Sequence, residues 1–163
     1  MTLHDLLTMQ TELQTHSDQQ PQTIEQIYLA QMAELGEIVQ CVKWGVSGDD
    51  ERPAWAWWHR ASKVPAQRDE LAGELADLLC FVLLAVLEDA PPSSDEWTEA
   101  WQKPVLLRNG DSSDLYAAAW GCVTSVGVEW FVQLCRHFGF TQADIEAAYQ
   151  AAYDKNVARW ADK

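Results

Sequence analysis

Apolar residues recur at spacings of three and four along almost the whole chain, whereas the alternation typical of β-strands is nearly absent. This pattern predicts an all-α protein built as a helical bundle. A chain of 163 residues can bury one hydrophobic core, so residues 1–163 are predicted to form a single domain. The predicted helices cover residues 3–16, 23–44, 67–89, 93–101, 115–138 and 141–162.

Capping signals mark several of the predicted helix ends. A polar residue followed three positions later by Gln, Glu or Asp is typical of a helix N-terminus, and a glycine after the last turn is typical of a C-terminus. These signals are Thr23 with Gln26, Ser93 with Glu96, Thr141 with Asp144, and Gly139. The Gly-, Pro- and Asp-containing stretch 45–66 is predicted to be a loop.

Two of the predicted helices carry pairs of carboxylates inside apolar runs. Glu34 and Glu37 lie in QMAELGEIVQCV, and Glu74 and Asp77 lie in GELADLLCFVLLAVL. The spacing of three places both members of a pair on one side of a helical turn. Carboxylates on a core-facing stripe must be paired, neutralised or bound to a metal. If the two long helices pack antiparallel, the four carboxylates converge, which predicts a magnesium site inside the bundle. The remaining predicted helices at the C-terminal end complete the bundle.

Such a site has a definite chemistry. Divalent ions held by carboxylates can polarise phosphoryl oxygens and neutralise a leaving group, and a partly free carboxylate can act as general base on water. A single ExxE or ExxD motif is usually a solvated helix face. Two such motifs, each followed by a long apolar run, favour the metal site instead.

The charge balance limits the classes of partner. The chain has 25 Asp and Glu against 11 Lys and Arg, which gives a formal net charge of −14. This argues against binding to nucleic acid, which requires clustered cations. An acidic protein can still bind a nucleotide when a metal bridges the phosphates. Near the C-terminus, Lys155, Asn156 and Arg159 form a small polar cluster that suits phosphate oxygens. The alternative is an exposed face in which Asp154 and Asp162 pair with these cations.

The sequence also indicates a cellular environment. No two of the four cysteines form a CxxC pair, which predicts buried free thiols in a reducing compartment. The N-terminal MTLHDLLTMQ lacks the pattern of a signal peptide. The longest apolar run, Leu78 to Leu87, is about half of the ~20 residues that span a bilayer. We therefore expect a soluble cytoplasmic protein, in the host cytoplasm if the source is viral, without membrane association.

The sequence ELGE at 34–37 followed by ELAD at 74–77 resembles the ExxE…ExxD signature of the all-α nucleoside triphosphate pyrophosphatases, the MazG and dimeric dUTPase superfamily. Further segments are similar to the dimeric dUTPase branch. These are LLTMQTELQ in the first predicted helix, CVKW at 41–44, LYAAAWG, and FVQLCRHFGFTQADIEAAYQAAYDKNVARW. The resemblance covers most of the chain except 45–66 and 88–110.

This resemblance implies a helical bundle that assembles as a homodimer or homotetramer. It also implies hydrolysis of a nucleoside triphosphate to the monophosphate and pyrophosphate with Mg²⁺, for which Mn²⁺ can substitute, and dUTP is the expected substrate. The implied metal ligands are Glu34, Glu37, Glu74 and Asp77, and Glu37 is the carboxylate expected to orient the attacking water. The implied substrate-binding residues are Gln10, Gln14, Trp44, Lys155, Asn156 and Arg159. Trp44 is alternatively a core residue.

Departures from the family pattern leave other functions open. Gly73 stands where the dUTPase branch usually has an acid, the stretch before Trp44 is about one turn shorter, and a second Asn and an Arg-Gln pair are missing after Asn156. One alternative is a MazG-like enzyme that hydrolyses purine deoxynucleotides in a phage-type nucleotide pathway. Another is a non-catalytic acidic helical interaction or inhibitory protein, whose carboxylates would be dispersed over an exposed face. A metal-storage or oxidase bundle would need Glu-x-x-His motifs, and none lies beside these acids.

Overall fold

The computed structural model describes residues 1–16, 23–42, 67–89, 95–105, 112–125 and 127–161. The described residues form seven α-helices and no strand, which confirms the predicted all-α fold. The helices are α1 (Leu3–His16), α2 (Ile24–Val42), α3 (Arg68–Asp89), α4 (Glu96–Gln102), α5 (Ser112–Thr124), α6 (Glu129–His137) and α7 (Gln142–Ala161). The predicted loop 45–66 lies outside the described residues.

Two predicted capping boxes are present at helix N-termini. At α2, the Thr23 backbone N–H donates to Gln26 Oε1 over 2.9 Å, and the Gln26 N–H donates to Thr23 Oγ1 over 3.4 Å. At α7, the Thr141 N–H donates to Asp144 Oδ2 over 2.8 Å, and the Asp144 N–H donates back to Thr141 Oγ1 over 3.3 Å. Each box satisfies backbone donors that the helix itself leaves free, so both helices begin where the sequence predicts.

The predicted start of α4 was wrong. Ser93 lies outside the described residues, and the helix begins at Glu96 with Asp95 as its cap. Asp95 accepts the Thr98 hydroxyl proton over 2.8 Å and also accepts the Leu3 backbone N–H of α1 over 3.1 Å. The Asp95 carboxylate thus caps α4 and also contacts the start of α1. The contact with α1 joins residues far apart in the sequence, so local spacing could not reveal it.

The predicted single helix over 115–138 is two helices in the structure. The chain leaves the helix after Thr124 and re-enters at Glu129, and Gly127 between them has φ +128°, outside the helical region. The break lets Trp130 of α6 lie against α5, where a Cβ on Gly121 would come within 2.4 Å of the Trp130 ring. The predicted glycine stop is confirmed, because Gly139 has φ +74° after α6.

Helix α3 is the centre of the bundle. It contacts α1, α2, α6 and α7, and its buried residues lie on most of its circumference rather than on one stripe. Trp97 of α4 is also fully buried, and its Nε1–H donates to Glu146 Oε1 over 3.0 Å. None of the helices in the described part of the chain has the length and apolar character that a bilayer crossing requires.

Candidate active site

The two acidic pairs lie on α2 and α3, which pack against each other. Toward the start of α2, Gln31 Nε2 donates to the Phe81 carbonyl of α3 over 3.1 Å. Further along α2, a carboxylate oxygen of Glu37 lies within 4.8 Å of one of Glu74. Rising residue numbers on α2 therefore meet falling numbers on α3, and the ELGE and ELAD segments face each other.

Three carboxylates converge where these segments meet. One oxygen each from Glu34, Glu37 and Glu74 lies within 4.8 Å of the others. Glu34 and Glu74 are half-buried, whereas Glu37 is exposed. Negative charges at this separation repel one another, and the repulsion increases where water is partly excluded. The cluster therefore favours either a bound proton or a cation.

The pKa values of two residues in the cluster are consistent with this electrostatic repulsion. The pKa of Glu34 is raised to about 7, chiefly by burial and also by the negative charges of Asp77, Glu37 and Glu74. Burial also raises the pKa of Glu74, with contributions from the charges of Glu37 and Asp77 and from the hydrogen bond to Glu37. At neutral pH, Glu34 is thus close to the midpoint of its titration.

Asp77 links the acidic cluster to a group of cations on α7. Desolvation is the largest influence on the pKa of Asp77 and raises it, although the residue lies at the exposed surface of α3. The positive charge of Lys155 lowers this pKa, the negative charge of Glu37 raises it, and Arg159 lowers it. Asp77 is therefore coupled to carboxylates on one side and to cations on the other.

A groove of about 710 Å³ lies between α3 and α7, beside this cluster. The lining includes Asp77, Lys155, Asn156 and Arg159, so the structure brings the last carboxylate of the second acidic motif and the C-terminal cluster into one groove. The middle of the groove is lined by residues with no side chain beyond Cβ, namely Ala72, Gly73, Ala147, Ala148, Ala151 and Ala152.

Arg68 lies at the other end of the groove. Its guanidinium group donates to the Gly139 carbonyl over 2.6 Å and lies 4.1 Å from the centre of the Phe140 ring. It also lies 3.8 Å from the carboxylate of Asp144. These contacts hold the start of α3 against the start of α7. Along the axis of α3, Arg68 lies roughly 14 Å from Asp77.

Comparison with known proteins identifies the family. A family model described as dUTPase matches residues 2–163, nearly the whole chain. The chain belongs to the dUTPase family. No curated protein matches the sequence. The all-α nucleoside triphosphate pyrophosphatase resemblance read from the acidic motifs is thus confirmed, and membership makes the chain a dUTPase-like nucleotide pyrophosphatase, a hydrolase with a nucleotide substrate.

In this dUTPase-family chain, the predicted substrate-binding residues Gln10 and Gln14 do not line the groove. Gln10 is buried in α1, and its Oε1 accepts the Tyr149 hydroxyl proton over 2.9 Å. Gln14 is exposed on the same helix. The residues that line the groove include neither glutamine. Trp44 lies outside the described residues, so its role stays a prediction.

The sequence analysis did not identify several of the residues that line the groove. Arg68, Phe140 and the small residues of α3 and α7 belong to no motif that marks chemistry. The available signal was the repeated alanines on α7, because Ala147 with Ala151 and Ala148 with Ala152 each recur one turn apart. That spacing shows a narrow helix face, but the same pattern is found in close helix packing.

Proposed function

We propose that this dUTPase-family chain is a Mg²⁺-dependent deoxynucleoside triphosphate pyrophosphohydrolase that converts dUTP to dUMP and pyrophosphate. The observation that supports the proposal is the convergence of three carboxylate oxygens within 4.8 Å, on the antiparallel pair α2 and α3, next to a groove that carries Lys155 and Arg159. Carboxylates beside cations match the needs of a metal–triphosphate substrate.

The residues of the cluster fit a hard divalent cation. The donors are all carboxylate oxygens, which suit Mg²⁺ and its substitute Mn²⁺, and burial together with the neighbouring carboxylates raises the pKa values of Glu34 and Glu74. We assign Glu34, Glu37, Glu74 and Asp77 as the residues that hold the metal. When bound, the metal supplies positive charge that polarises the phosphoryl oxygens and neutralises the leaving group.

The other steps are assigned to groups of the chain. Glu37, the exposed member of the cluster, orients the attacking water and accepts its proton. The water oxygen attacks the α-phosphorus, the bond from this phosphorus to the α,β-bridging oxygen breaks, and pyrophosphate leaves with the bonding electron pair. Lys155 and Arg159 contact phosphate oxygens, and Asn156 contacts phosphate or sugar.

The convergence of carboxylates also bears on the rival function. A non-catalytic acidic interaction protein has no requirement for three carboxylate oxygens within 4.8 Å of one another on two helices, because charge dispersed over an exposed face would serve it. The cluster therefore favours the hydrolase. The same carboxylates would serve the hydrolysis of a purine nucleotide equally well, so a comparison of substrates identifies the base.

A substrate panel tests the proposal. With Mg²⁺, dUTP is expected to yield dUMP and pyrophosphate in equal amounts, without release of inorganic phosphate, and isotope-labelled water should place its oxygen in dUMP. The other deoxynucleoside triphosphates serve as comparison substrates. Faster turnover of dGTP or dATP would show that the preferred substrate is a purine nucleotide and not dUTP. The enzymatic proposal fails if no nucleotide is turned over with either Mg²⁺ or Mn²⁺.

We also propose that the chain assembles as a homodimer or homotetramer. Large apolar side chains are exposed on α2 at Leu29 and Met32 and on α5 at Tyr116 and Trp120. The rings of Tyr116 and Trp120 stack with centroids 6.4 Å apart, although these residues are 67% and 55% exposed. Such surfaces are typical of interfaces. We expect Trp120→Glu to reduce the mass measured by sedimentation equilibrium, and a wild-type mass of one chain would contradict assembly.

A further inference from the structure

Gly73 is a glycine that the fold of the chain does not require. It lies inside α3, where glycine lowers helix stability relative to alanine. A Cβ built at Gly73 meets no atom within 4 Å, so no neighbouring side chain or backbone needs the space. The left-handed conformations among the described glycines are at Gly127 and Gly139, so backbone conformation does not require a glycine at this position either.

The space above Gly73 is the middle of the groove. Gly73 lines the groove between the cationic end, at Lys155 and Arg159, and the end at Arg68. The facing residues of α7, including Ala148 and Ala151, also end at Cβ. Lys155 and Arg159 suit phosphate oxygens, whereas the guanidinium group of Arg68 at the other end already donates to the Gly139 carbonyl and lies near the Asp144 carboxylate. The middle has small uncharged walls, which suit a part of the substrate that carries no phosphate.

We propose that Gly73 is a specificity-determining residue, because its missing side chain leaves room between α3 and α7 for the nucleoside part of the nucleotide. This inference rests on the proposed function, since it assigns one position in the groove of that enzyme. A larger side chain at position 73 occupies the nucleoside space and leaves the carboxylates of Glu34, Glu37 and Glu74 in place.

Gly36 is a matched control within the same chain. It is also a helix-interior glycine, it lies between the two carboxylates of the first acidic motif, and a Cβ there also meets nothing within 4 Å. Gly36 does not line the groove. Substitutions at the two glycines thus have the same cost or benefit for helix stability and differ in whether they fill the groove.

The experiment compares Gly73→Ala and Gly73→Leu with Gly36→Ala and Gly36→Leu. Both alanine variants should raise Tm by about 2–4 °C through better helix propensity. Gly73→Leu should raise KM for the preferred deoxynucleotide by roughly 100-fold, and Gly73→Ala by roughly 10-fold, whereas the Gly36 variants should stay within about 3-fold of wild type. Ala151→Leu narrows the same groove from α7 and should raise KM as Gly73→Leu does. Agreement between variants on two helices would show that a local folding defect at one position is not the cause.

Two further measurements separate the possible causes. Mn²⁺ affinity without nucleotide, and competitive inhibition by inorganic tripolyphosphate, should be unchanged in Gly73→Leu because neither probe has a nucleoside. Equal loss of tripolyphosphate and nucleotide binding would overturn the assignment to the nucleoside. Normal KM in both Gly73→Leu and Ala151→Leu, with an active wild type, would overturn the inference and leave the proposed function standing. If wild-type protein binds and hydrolyses no nucleotide, the proposed function fails and this inference fails with it.

Discussion

Replacing Glu37 by glutamine is expected to lower kcat for the preferred nucleotide by at least about 10³-fold, because the change removes both a proton acceptor and a metal-binding oxygen. Asp77→Asn is expected to have a similar effect, since Asp77 connects the carboxylate cluster to Lys155 and Arg159. The substitutions are nearly isosteric and Glu37 and Asp77 are exposed, so helicity measured by circular dichroism should not change.

The matched control for these variants is Glu88→Gln. Glu88 is exposed near the end of α3, and its replacement changes the net charge by the same amount without touching the cluster. Activity should stay at the wild-type level in this variant. Mn²⁺ affinity, measured by calorimetry, should fall in Glu37→Gln and remain in Glu88→Gln. Full activity in both Glu37→Gln and Asp77→Asn would remove the proposed site.

The metal-free protein is expected to lose stability as the pH rises from about 5 to 8.5, and Glu34 is the main cause. Its pKa is 4.5 ordinarily and about 7 in the folded chain, so between these values the folded state binds a proton that the unfolded state releases. The stabilising contribution is complete below pH 4.5 and is lost as the pH passes about 7. The raised pKa values of Glu74 and Asp77 act in the same direction.

The size of this effect is limited by solvent. The change in pKa from 4.5 to about 7 corresponds to at most about 3.4 kcal/mol. Because Glu34 is only half-buried and water screens its neighbours, we expect about 1–2 kcal/mol, or roughly 2–8 °C in Tm. Carboxylates whose pKa is lowered, such as Asp95 and Asp144, lose their contribution only at more acidic pH.

Thermal unfolding in chelator at pH 5.5 and 8.5 measures this dependence. Glu34→Gln should make the protein more stable at pH 8.5 and should flatten the slope, whereas Glu88→Gln should keep the wild-type slope. Adding Mg²⁺ or Mn²⁺ at pH 8.5 should raise the Tm of wild type more than that of Glu34→Gln, since the cation replaces the missing proton. A wild-type pH slope in Glu34→Gln would show that the repulsion arises elsewhere in this acidic chain.

Local features of the helices could be predicted because they depend on neighbours a few residues apart. The capping boxes at Thr23 and Thr141 and the glycine stop at Gly139 were predicted from spacing alone. The break at Gly127 was not predicted, because the sequence around it keeps helical periodicity. Two helices form there because Trp130 of α6 packs over Gly121 of α5, and this contact exists only in the folded chain.

The candidate site divides in the same way. From the sequence by itself came the helical class, the family resemblance and the two acidic pairs, since i, i+3 spacing puts carboxylates on one helix face whatever the fold. Only the tertiary structure decided that Glu34, Glu37 and Glu74 meet, that Asp77 faces Lys155, and that the Gln10 amide is bound by Tyr149. These contacts join positions dozens of residues apart, and their geometry depends on how whole helices pack, which no short segment of sequence specifies.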